Sequence, residues 1–452
     1  MSESTTKTVS EKLAARYSGM TYDDVSAANG KAVKRLLMDW LGVAVGGSQT
    51  ESGQVARAFV VEQEGKAQAQ VAGDKVRVPM ANAAFANAIS SHSLELDDID
   101  VLALFHFSPP VYGAALAAAE GAGASGRELI TALVAGCEMM ERASKAVNPS
   151  LRDRGFHTTP TTGVFGATVA AGKLLGLDPV RFTSALGLAG AQSAGLMEMY
   201  GPSMQKRFNP GPTARSGVTS ALMAKLGFTG TALIFEGERG WLQAYSDEHT
   251  TAPLDVAPGD VYPLDIEFKP YSCARPIHNA IDCALEIRAQ PGFATAKINS
   301  IRIERHPSWS KYHRNAAPNT YHEAQVSLPF SMAIAMLEGK ALLAEYSDRN
   351  IARADVQRLA KMASFETVDD LPRGVSVRIT ATQEDGKKFT SQVDYPKGSI
   401  QNAMSDEELR AKFMSLAGPV LGEERAAELA EKAMNVEKLD KVADLMKLTV
   451  VR

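Results

Sequence analysis

Apolar residues recur at helical spacing through the first half of the chain. The first clear case is a helix that ends at Gly46-Gly47 and presents one apolar face, formed by Val33, Leu36, Leu37, Trp40, Leu41 and Ala44. Helical segments rich in Ala and Gly follow at 80–96, 109–122, 126–147, 160–175 and 179–197. Small residues let helix backbones approach closely. The pattern therefore predicts tight all-helical packing up to about residue 250.

The hydrophobic period changes near residue 265. Residues 298–305 alternate apolar and polar, and so do 375–382 and 388–395 around a hairpin turn at 384–387. Helical segments at 326–337 and 354–363 lie between them. From Ser405 the pattern is helical again, with a capping box and then Leu409, Phe413 and Leu416.

These switches of period predict a mainly α protein with two domains. We expect the tail to pack back onto the first part of the chain, because the two resemble each other in character. The large all-helical domain would then be formed by both chain ends, residues 1–265 and 399–452. A smaller α+β domain, residues 266–398, would be inserted between them.

Composition supports this organisation and removes some classes of protein. A chain of 452 residues exceeds a single compact core, and its 45% hydrophobic and 22% charged residues are typical of a globular protein. A net charge of -4 argues against nucleic acid as a partner, because such proteins carry a basic patch or stripe.

Cysteine content and the leading residues indicate the compartment. The three cysteines cannot form a disulfide framework, and no C-x-x-C pair supports zinc or an iron–sulfur cluster. Cys273 is interpreted as a small buried apolar residue. The first residues lack the apolar core of a signal peptide, and no apolar run is long enough to span a bilayer. We expect a cytoplasmic protein with no membrane partner.

A cluster of acidic residues is the clearest chemical feature. Glu95, Asp97, Asp98 and Asp100 fall within six positions and repel one another unless positive groups or backbone donors face them. His106 follows, and then a Pro pair opens a helix whose first N–H groups can hold a carboxylate. Positive side chains near Gly, Pro or aromatic residues occur elsewhere, at His157, Lys206, Arg207, Lys269, Arg275 and His278. We predict that these pieces form a pocket for a small polyanion.

Two of the positive residues have informative settings. His157 lies just before a predicted helix, whose positive end depresses the pKa of an imidazole and favours the neutral form that a general base needs. The alternative is a solvent-exposed loop histidine. Lys206 could pair with a carboxylate or transfer a proton, whereas its neighbour Arg207 is expected to point elsewhere and form a structural ion pair.

Several segments together resemble one family. They are HSLELDD, the H-x-S segment at His106, GFHTTPTTGVFGA, AGKLLGLD, MQKRFNPGPTARSG, GFTG and KPYSC…H. Nearly the whole chain resembles the MmgE/PrpD superfamily, which includes 2-methylcitrate dehydratase, cis-aconitate decarboxylase and iminodisuccinate epimerase. The resemblance implies a helical domain with an inserted α+β lid, a homodimer, and chemistry without a metal or organic cofactor.

The resemblance also implies an active site, at Glu95, His106, His157, Lys206 and His278. The chain departs from the family pattern at three positions. Glu95 stands where Asp is frequent, Ile99 where some decarboxylases have Thr, and Phe107 where Pro is common. These departures leave the exact substrate open and argue against assigning decarboxylation.

The resulting hypothesis is a cofactor-independent lyase of a small di- or tricarboxylate that abstracts a proton next to a carboxylate. Dehydration or decarboxylation would pass through an enolate-like centre, which needs an acid/base pair and cations. The expected roles are His106 and His157 as that pair, and Lys206 and His278 as carboxylate ligands helped by Lys269 or Arg275. Glu95, with Asp97 or Asp98, would orient an imidazole or Lys206. Asp98 is placed among the substrate-binding residues, although Asp97 and Asp98 could equally be helix caps.

Three alternatives stay open. An epimerase or isomerase of an iminodisuccinate-like dicarboxylate would use the same acid/base pair. A non-catalytic polycarboxylate-binding protein would use only the cations. An oxygen-only Mg²⁺ or Ca²⁺ site is disfavoured because the acidic cluster lacks the loop glycine of a calcium motif, so no metal site is predicted.

Overall fold

The computed structural model describes residues 7–101, 105–199, 203–257 and 259–451. It is mainly helical, which confirms the predicted fold class. The helices are α1 (Val9–Gly19), α2 (Ala27–Gly47), α3 (Glu51–Glu62), α4 (Met80–His92), α5 (Ser108–Ala122), α6 (Gly126–Val147), α7 (Ser150–Asp153), α8 (Thr158–Leu174), α9 (Pro179–Gly190), α10 (Gln205–Phe208), α11 (Pro210–Lys225), α12 (Trp241–Tyr245), α13 (His278–Arg288), α14 (Tyr321–Ala324), α15 (Leu328–Glu338), α16 (Asp348–Ile351), α17 (Ala354–Lys361), α18 (Asp406–Leu421), α19 (Glu423–Met434) and α20 (Ala443–Met446).

Strands make up a small part of the described chain. They are β1 (Ala69–Gln70), β2 (Arg77–Val78), β3 (Ile298–Arg305), β4 (Ala363–Thr367), β5 (Val377–Gln383) and β6 (Lys388–Val393). β1 and β2 form a short antiparallel pair. The other four form a sheet of order β4-β3-β5-β6, in which β3 is parallel to β4 and antiparallel to β5.

The chain divides into two compact units. The helical unit comprises the described residues within 1–200, 205–266 and 405–452. The α+β unit comprises those within 201–204 and 267–404. The C-terminal helices belong to the helical unit. There, Lys412 of α18 donates to Asp39 of α2 at 2.6 Å, and a Cβ on Gly42 would lie 2.9 Å from the ring of Phe413.

Helix packing in the helical unit depends on small residues, as the composition suggested. A Cβ on Gly136 of α6 would lie 2.8 Å from the carbonyl oxygen of Gly166 in α8, so the two backbones are close to contact. A Cβ on Gly217 of α11 would lie 2.4 Å from the Cβ of Ala167 in α8. Such contacts fix α8 against both α6 and α11.

The sheet of the α+β unit contains one strand that the sequence did not predict. The segment 354–363 was expected to be helical throughout, but α17 ends at Lys361 and β4 begins at Ala363. β4 pairs in parallel with β3, and the hydroxyl of Ser364 donates to the carbonyl of Ile301 at 3.0 Å. Local spacing could not reveal this strand because its pairing partner lies about 60 residues earlier in the chain.

Among the described residues, we find no helix that combines the length and apolarity needed to cross a membrane.

Candidate functional site

The acidic cluster lies in an irregular turn that follows α4. The sequence predicted a helix over 80–96, but α4 ends at His92. Glu95 has a left-handed backbone conformation with φ of 57°, which a helix cannot contain. A non-Gly residue in this region costs on the order of 1–3 kcal/mol and persists where its surroundings hold it. The turn gives each of the acids Glu95, Asp97 and Asp98 its own partners.

Glu95 bridges two cations. It is buried, and its two carboxylate oxygens form ion pairs with Lys206 and Arg207, which are also buried. The expectation that Arg207 points elsewhere is therefore wrong, because both neighbours in the short helix α10 reach the same carboxylate. Glu95 therefore holds two cationic side chains in place next to each other.

Asp97 orients imidazoles, which is one of the two roles that the sequence left open. Its Oδ2 lies 2.8 Å from Nδ1 of His92 and 3.1 Å from Nδ1 of His106. All three side chains are buried. Since a carboxylate oxygen only accepts, His92 donates to it from Nδ1, while Nδ1 of His106 lies beside the same oxygen at ion-pair distance.

Asp98 takes the other role and caps α5. Its Oδ2 accepts from the backbone N–H of Phe107 at 2.7 Å, and its Oδ1 accepts from that of Ser108 at 3.0 Å. The start of this helix does hold a carboxylate, as its prolines suggested, but the carboxylate belongs to the chain itself. The assignment of Asp98 to substrate binding stays a prediction. Burial, and next the charge of Asp97, raise the pKa of Asp98 to about 7.

The raised pKa of Asp98 predicts a specific pH dependence of stability. Between the ordinary value of 3.8 and about 7, the folded state binds more protons at this carboxyl than the unfolded state does. Its contribution to stability is therefore full below pH 3.8 and is lost as the pH rises through 7. In thermal melts, the difference in Tm between wild type and Asp98→Asn should fall from pH 4 to pH 7 and then level off. A constant difference would mean that Asp98 is ionised throughout this range.

His106 is held in one tautomer. Its Nδ1 lies 2.5 Å from the backbone carbonyl oxygen of Asp98, which only accepts, so Nδ1 carries the proton. Its backbone N–H donates to the hydroxyl of Thr159 at 3.1 Å. In the neutral ring Nε2 is then the unprotonated nitrogen, and His106 can act as a base through that atom.

His157 is held in the opposite tautomer. It is the N-cap of α8 and is buried, which excludes the solvent-exposed alternative. The side-chain Nδ2 of Asn209 donates to its Nδ1 at 3.0 Å, so the neutral ring carries its proton on Nε2. Burial first, and then the nearby His92, His106 and Lys206, lower the pKa of His157 well below its usual value. His157 is therefore a neutral hydrogen-bond donor at pH 7.

The starts of three long helices meet at this group of side chains. Asp98 caps α5, while the N-caps of α8 and α11, His157 and Asn209, are in contact. α8 and α11 run in the same direction, because Ala167 and Gly217, further along them, also pack together. The positive ends of these helices add to the cations and favour a bound anion.

The structure thus brings together the predicted site residues of the helical unit. They are Glu95, Asp98, His106, His157 and Lys206. The others, Lys269, Arg275 and His278, belong to the α+β unit. There, His278 accepts from Arg275 at Nδ1, at 3.1 Å, and donates from Nε2 to the carbonyl of Cys273 at 3.2 Å. Substrate binding by the residues of the α+β unit stays a prediction.

Two residues of the site were not singled out from the sequence. His92 is in the HSLELDD segment, five residues before Asp97, and that spacing was its only signal. Asn209 directly precedes a proline, which is typical of a residue that begins a helix. Sequence spacing alone did not show that its amide would reach His157.

Within the described part of the chain, one group of side chains has a spacing that could hold a metal ion. His92, Asp97 and His106 each offer one ligand atom, and these atoms lie within 4.8 Å of one another. The hydrogen bonds from His92 to Asp97 and from His106 to the carbonyl of Asp98 hold the same arrangement without an ion.

Comparisons with known proteins identify the family of the chain. The MmgE/PrpD N-terminal domain matches residues 11–253, and the MmgE/PrpD C-terminal domain matches residues 271–438. A cis-aconitate decarboxylase of Aspergillus terreus is 26% identical over 465 residues, covering 95% of this chain and 94% of that protein. A cis-aconitate decarboxylase of Homo sapiens is 26% identical over 451 residues, covering 96% of this chain and 93% of that protein. A cis-aconitate decarboxylase-like protein of Aspergillus oryzae is 27% identical, with 94% of each chain covered.

The chain therefore belongs to the MmgE/PrpD family. The resemblance noted in the sequence is confirmed over both domains. The relatives named above are carboxylate-acting lyases, or resemble one, by their descriptions.

Proposed function

We propose that the protein is a cofactor-independent lyase of a small polycarboxylate, and that it moves a proton at the carbon next to a carboxylate. One observation carries this proposal. His106 and His157 are fixed in opposite tautomers beside Lys206, so one ring can accept a proton at Nε2 while the other donates a hydrogen bond from Nε2. A base and a donor of this kind are what an enolate-like centre requires.

The cations would bind the carboxylates of the substrate. Glu95 holds Lys206 and Arg207 side by side, so their N–H donors could also bind a substrate carboxylate. Charge-assisted hydrogen bonds to a carboxylate are stronger than neutral ones, and burial strengthens them further. Glu95 would keep both cations in place before the substrate arrives.

The imidazoles would act on the reacting carbon. His106 would take a proton from that carbon in dehydration, or return one to it after loss of CO₂ in decarboxylation. The Nε2–H of His157 would stabilise the negative charge that spreads onto the adjoining carboxylate. A neutral imidazole suits this role, because its Nε2–H can donate a hydrogen bond to the developing negative charge.

Among such reactions, we propose decarboxylation of a cis-aconitate-like tricarboxylate first, because the curated relatives at 26–27% identity are described by that activity or as similar to it. Ile99, at a position where Thr was expected of decarboxylases, favours 2-methylcitrate-like dehydration as the second candidate.

An NMR assay would test the proposal. Wild-type protein is incubated separately with cis-aconitate, 2-methylcitrate, citrate and iminodisuccinate, and the carbon-bound protons are followed with time. We expect turnover of at least one tricarboxylate, with a product that has lost either CO₂ or water. Stereochemical inversion of iminodisuccinate alone would identify an epimerase. Binding of these acids without any turnover or proton exchange would identify a non-catalytic binder.

A further inference from the structure

His92 lies behind the predicted acid/base pair and has no role in the proposal above. It is the last residue of α4 and is fully buried. Its ring centroid lies 5.0 Å from that of His106, with the two planes inclined at 64°. Nδ1 of His92 donates to Oδ2 of Asp97 at 2.8 Å, and Nδ1 of His106, which donates to the carbonyl of Asp98, lies 3.1 Å from the same Oδ2. The three side chains form a His–Asp–His chain that ends at the proposed base.

We propose that His92 is a positioning residue, which acts through Asp97 to set how strongly that carboxylate stabilises the protonated form of His106. The inference deepens the proposed function, since it concerns the group to which that function assigns proton transfer. His92 itself would not touch the substrate.

One oxygen of Asp97 lies beside both rings. When His106 takes a proton at Nε2 its ring becomes cationic, and the carboxylate of Asp97, 3.1 Å from its Nδ1, stabilises that charge electrostatically. The Nδ1–H of His92 donates to the same oxygen of Asp97, so the negative charge on that oxygen acts less strongly on His106. If this donor is lost, the imidazolium of His106 is stabilised more strongly and persists to higher pH. If the carboxylate itself is lost, the imidazolium is stabilised less and persists only to lower pH.

The protonation state of His92 agrees with a role as a neutral donor. Burial is the largest cause that lowers the pKa of His92, against the opposing effect of Asp97. A neutral ring gives Asp97 one N–H without adding a second positive charge beside His106. Its Nε2 is buried without a hydrogen-bond partner among the described residues, so Asp97 provides the polar contact that orients the ring.

Other ionisable groups act on the same rings and stay unchanged in the test. From α8, His157 interacts electrostatically with both His92 and His106. Lys206 of α10 lowers the pKa of His92, and Glu95 in the turn after α4 raises it. The carboxyl of Asp98 is held at the start of α5, next to His106. Differences between variants at His92 therefore report the His92–Asp97 contact.

The test compares two substitutions of His92 by NMR titration. His92→Asn keeps an N–H donor near the position of Nδ1, whereas His92→Leu has a similar volume and no donor. The ring signals of the eight histidines are observed in histidine-labelled protein, and those of His106 are identified by their loss in His106→Asn. In the His92→Asn variant, we expect the titration midpoint of His106 to match that of wild type. That of His92→Leu should lie higher by roughly one pH unit, the scale of a charge-assisted hydrogen bond.

Asp97→Asn provides a second variant with the opposite sign. It should lower the His106 midpoint, and it tests the same chain if His92→Leu does not fold. With any substrate that wild type converts, the acid limb of the pH profile of kcat/KM should shift among the variants in the same order as the His106 midpoints. Equal midpoints in wild type, His92→Leu and Asp97→Asn would overturn the inference. A metal ion bound in stoichiometric amount would also overturn the inference if its removal by EDTA changed the His106 signals of wild type. His92, Asp97 and His106 would then be metal ligands.

The titration needs no substrate, so the two proposals can fail separately. Wild type that converts none of the four acids would reject the proposed function, while shifted midpoints would still support the His–Asp–His chain. Turnover with unshifted midpoints would reject only the role of His92.

Discussion

Replacing His106 with Asn is expected to lower kcat by about 10²–10⁴-fold, which is the usual contribution of a well-placed acid or base. The amide nitrogen of Asn would lie near the former Nδ1 and could still donate to the carbonyl of Asp98. What disappears is the lone pair at Nε2. Steady-state kinetics with an accepted polycarboxylate would measure the loss, and a thermal melt would show that Tm changes by only a few degrees.

A histidine of the other compact unit provides the matched control for this substitution. His306 lies in the α+β unit, where its Nδ1 contacts Ser308. His306→Asn should leave kcat unchanged. Full activity per folded molecule in His106→Asn would show that His106 is a structural residue.

Replacing Lys206 with Met is expected to lower kcat/KM by about 10²-fold, because one charge-assisted hydrogen bond to a substrate carboxylate is lost. The effect on stability should be small. Glu95 keeps its ion pair with Arg207, so no buried carboxylate is left without a cation. Initial rates over a range of substrate concentrations would separate a higher KM from a lower kcat.

The control for Lys206 is a partly exposed lysine of the same unit. Lys432 pairs with Glu428 on α19, and Lys432→Met should change neither kcat nor KM. If Lys206→Met instead unfolds the protein while its folded fraction keeps wild-type kcat/KM, the Lys206–Glu95 pair is structural and the substrate carboxylate is bound elsewhere.

Periodicity predicted most of the fold because most elements have strong local signals. The helix at 126–147 matches α6 at both ends, since Ser125 and Glu128 form a capping box. The strand at 298–305 matches β3. The prediction was wrong where distant contacts decide the structure. β4 depends on pairing with β3, and the end of α4 depends on the ion pairs that hold Glu95 in a left-handed conformation.

The candidate site was predictable in its residue types but not in its contacts. The acidic cluster and His106 were found because they are close in sequence, and His157 because it precedes a helix. The functions of Asp97 and Asp98 could not be separated, since a cap and an imidazole partner differ only in where the turn directs each carboxylate. Asn209 fixes the tautomer of His157 across 52 residues, and no local pattern shows such a contact.

Both candidate reactions require proton transfer between His106 and the substrate carbon, and exchange with solvent deuterium measures that transfer. The accepted polycarboxylate is converted in D₂O, and NMR measures deuterium at the carbon next to the carboxylate, in the product of a decarboxylation or in the recovered substrate of a dehydration. We predict that wild type incorporates solvent deuterium at this carbon and that His106→Asn incorporates it at least 10²-fold more slowly. Incorporation by His106→Asn at the wild-type rate would contradict the account.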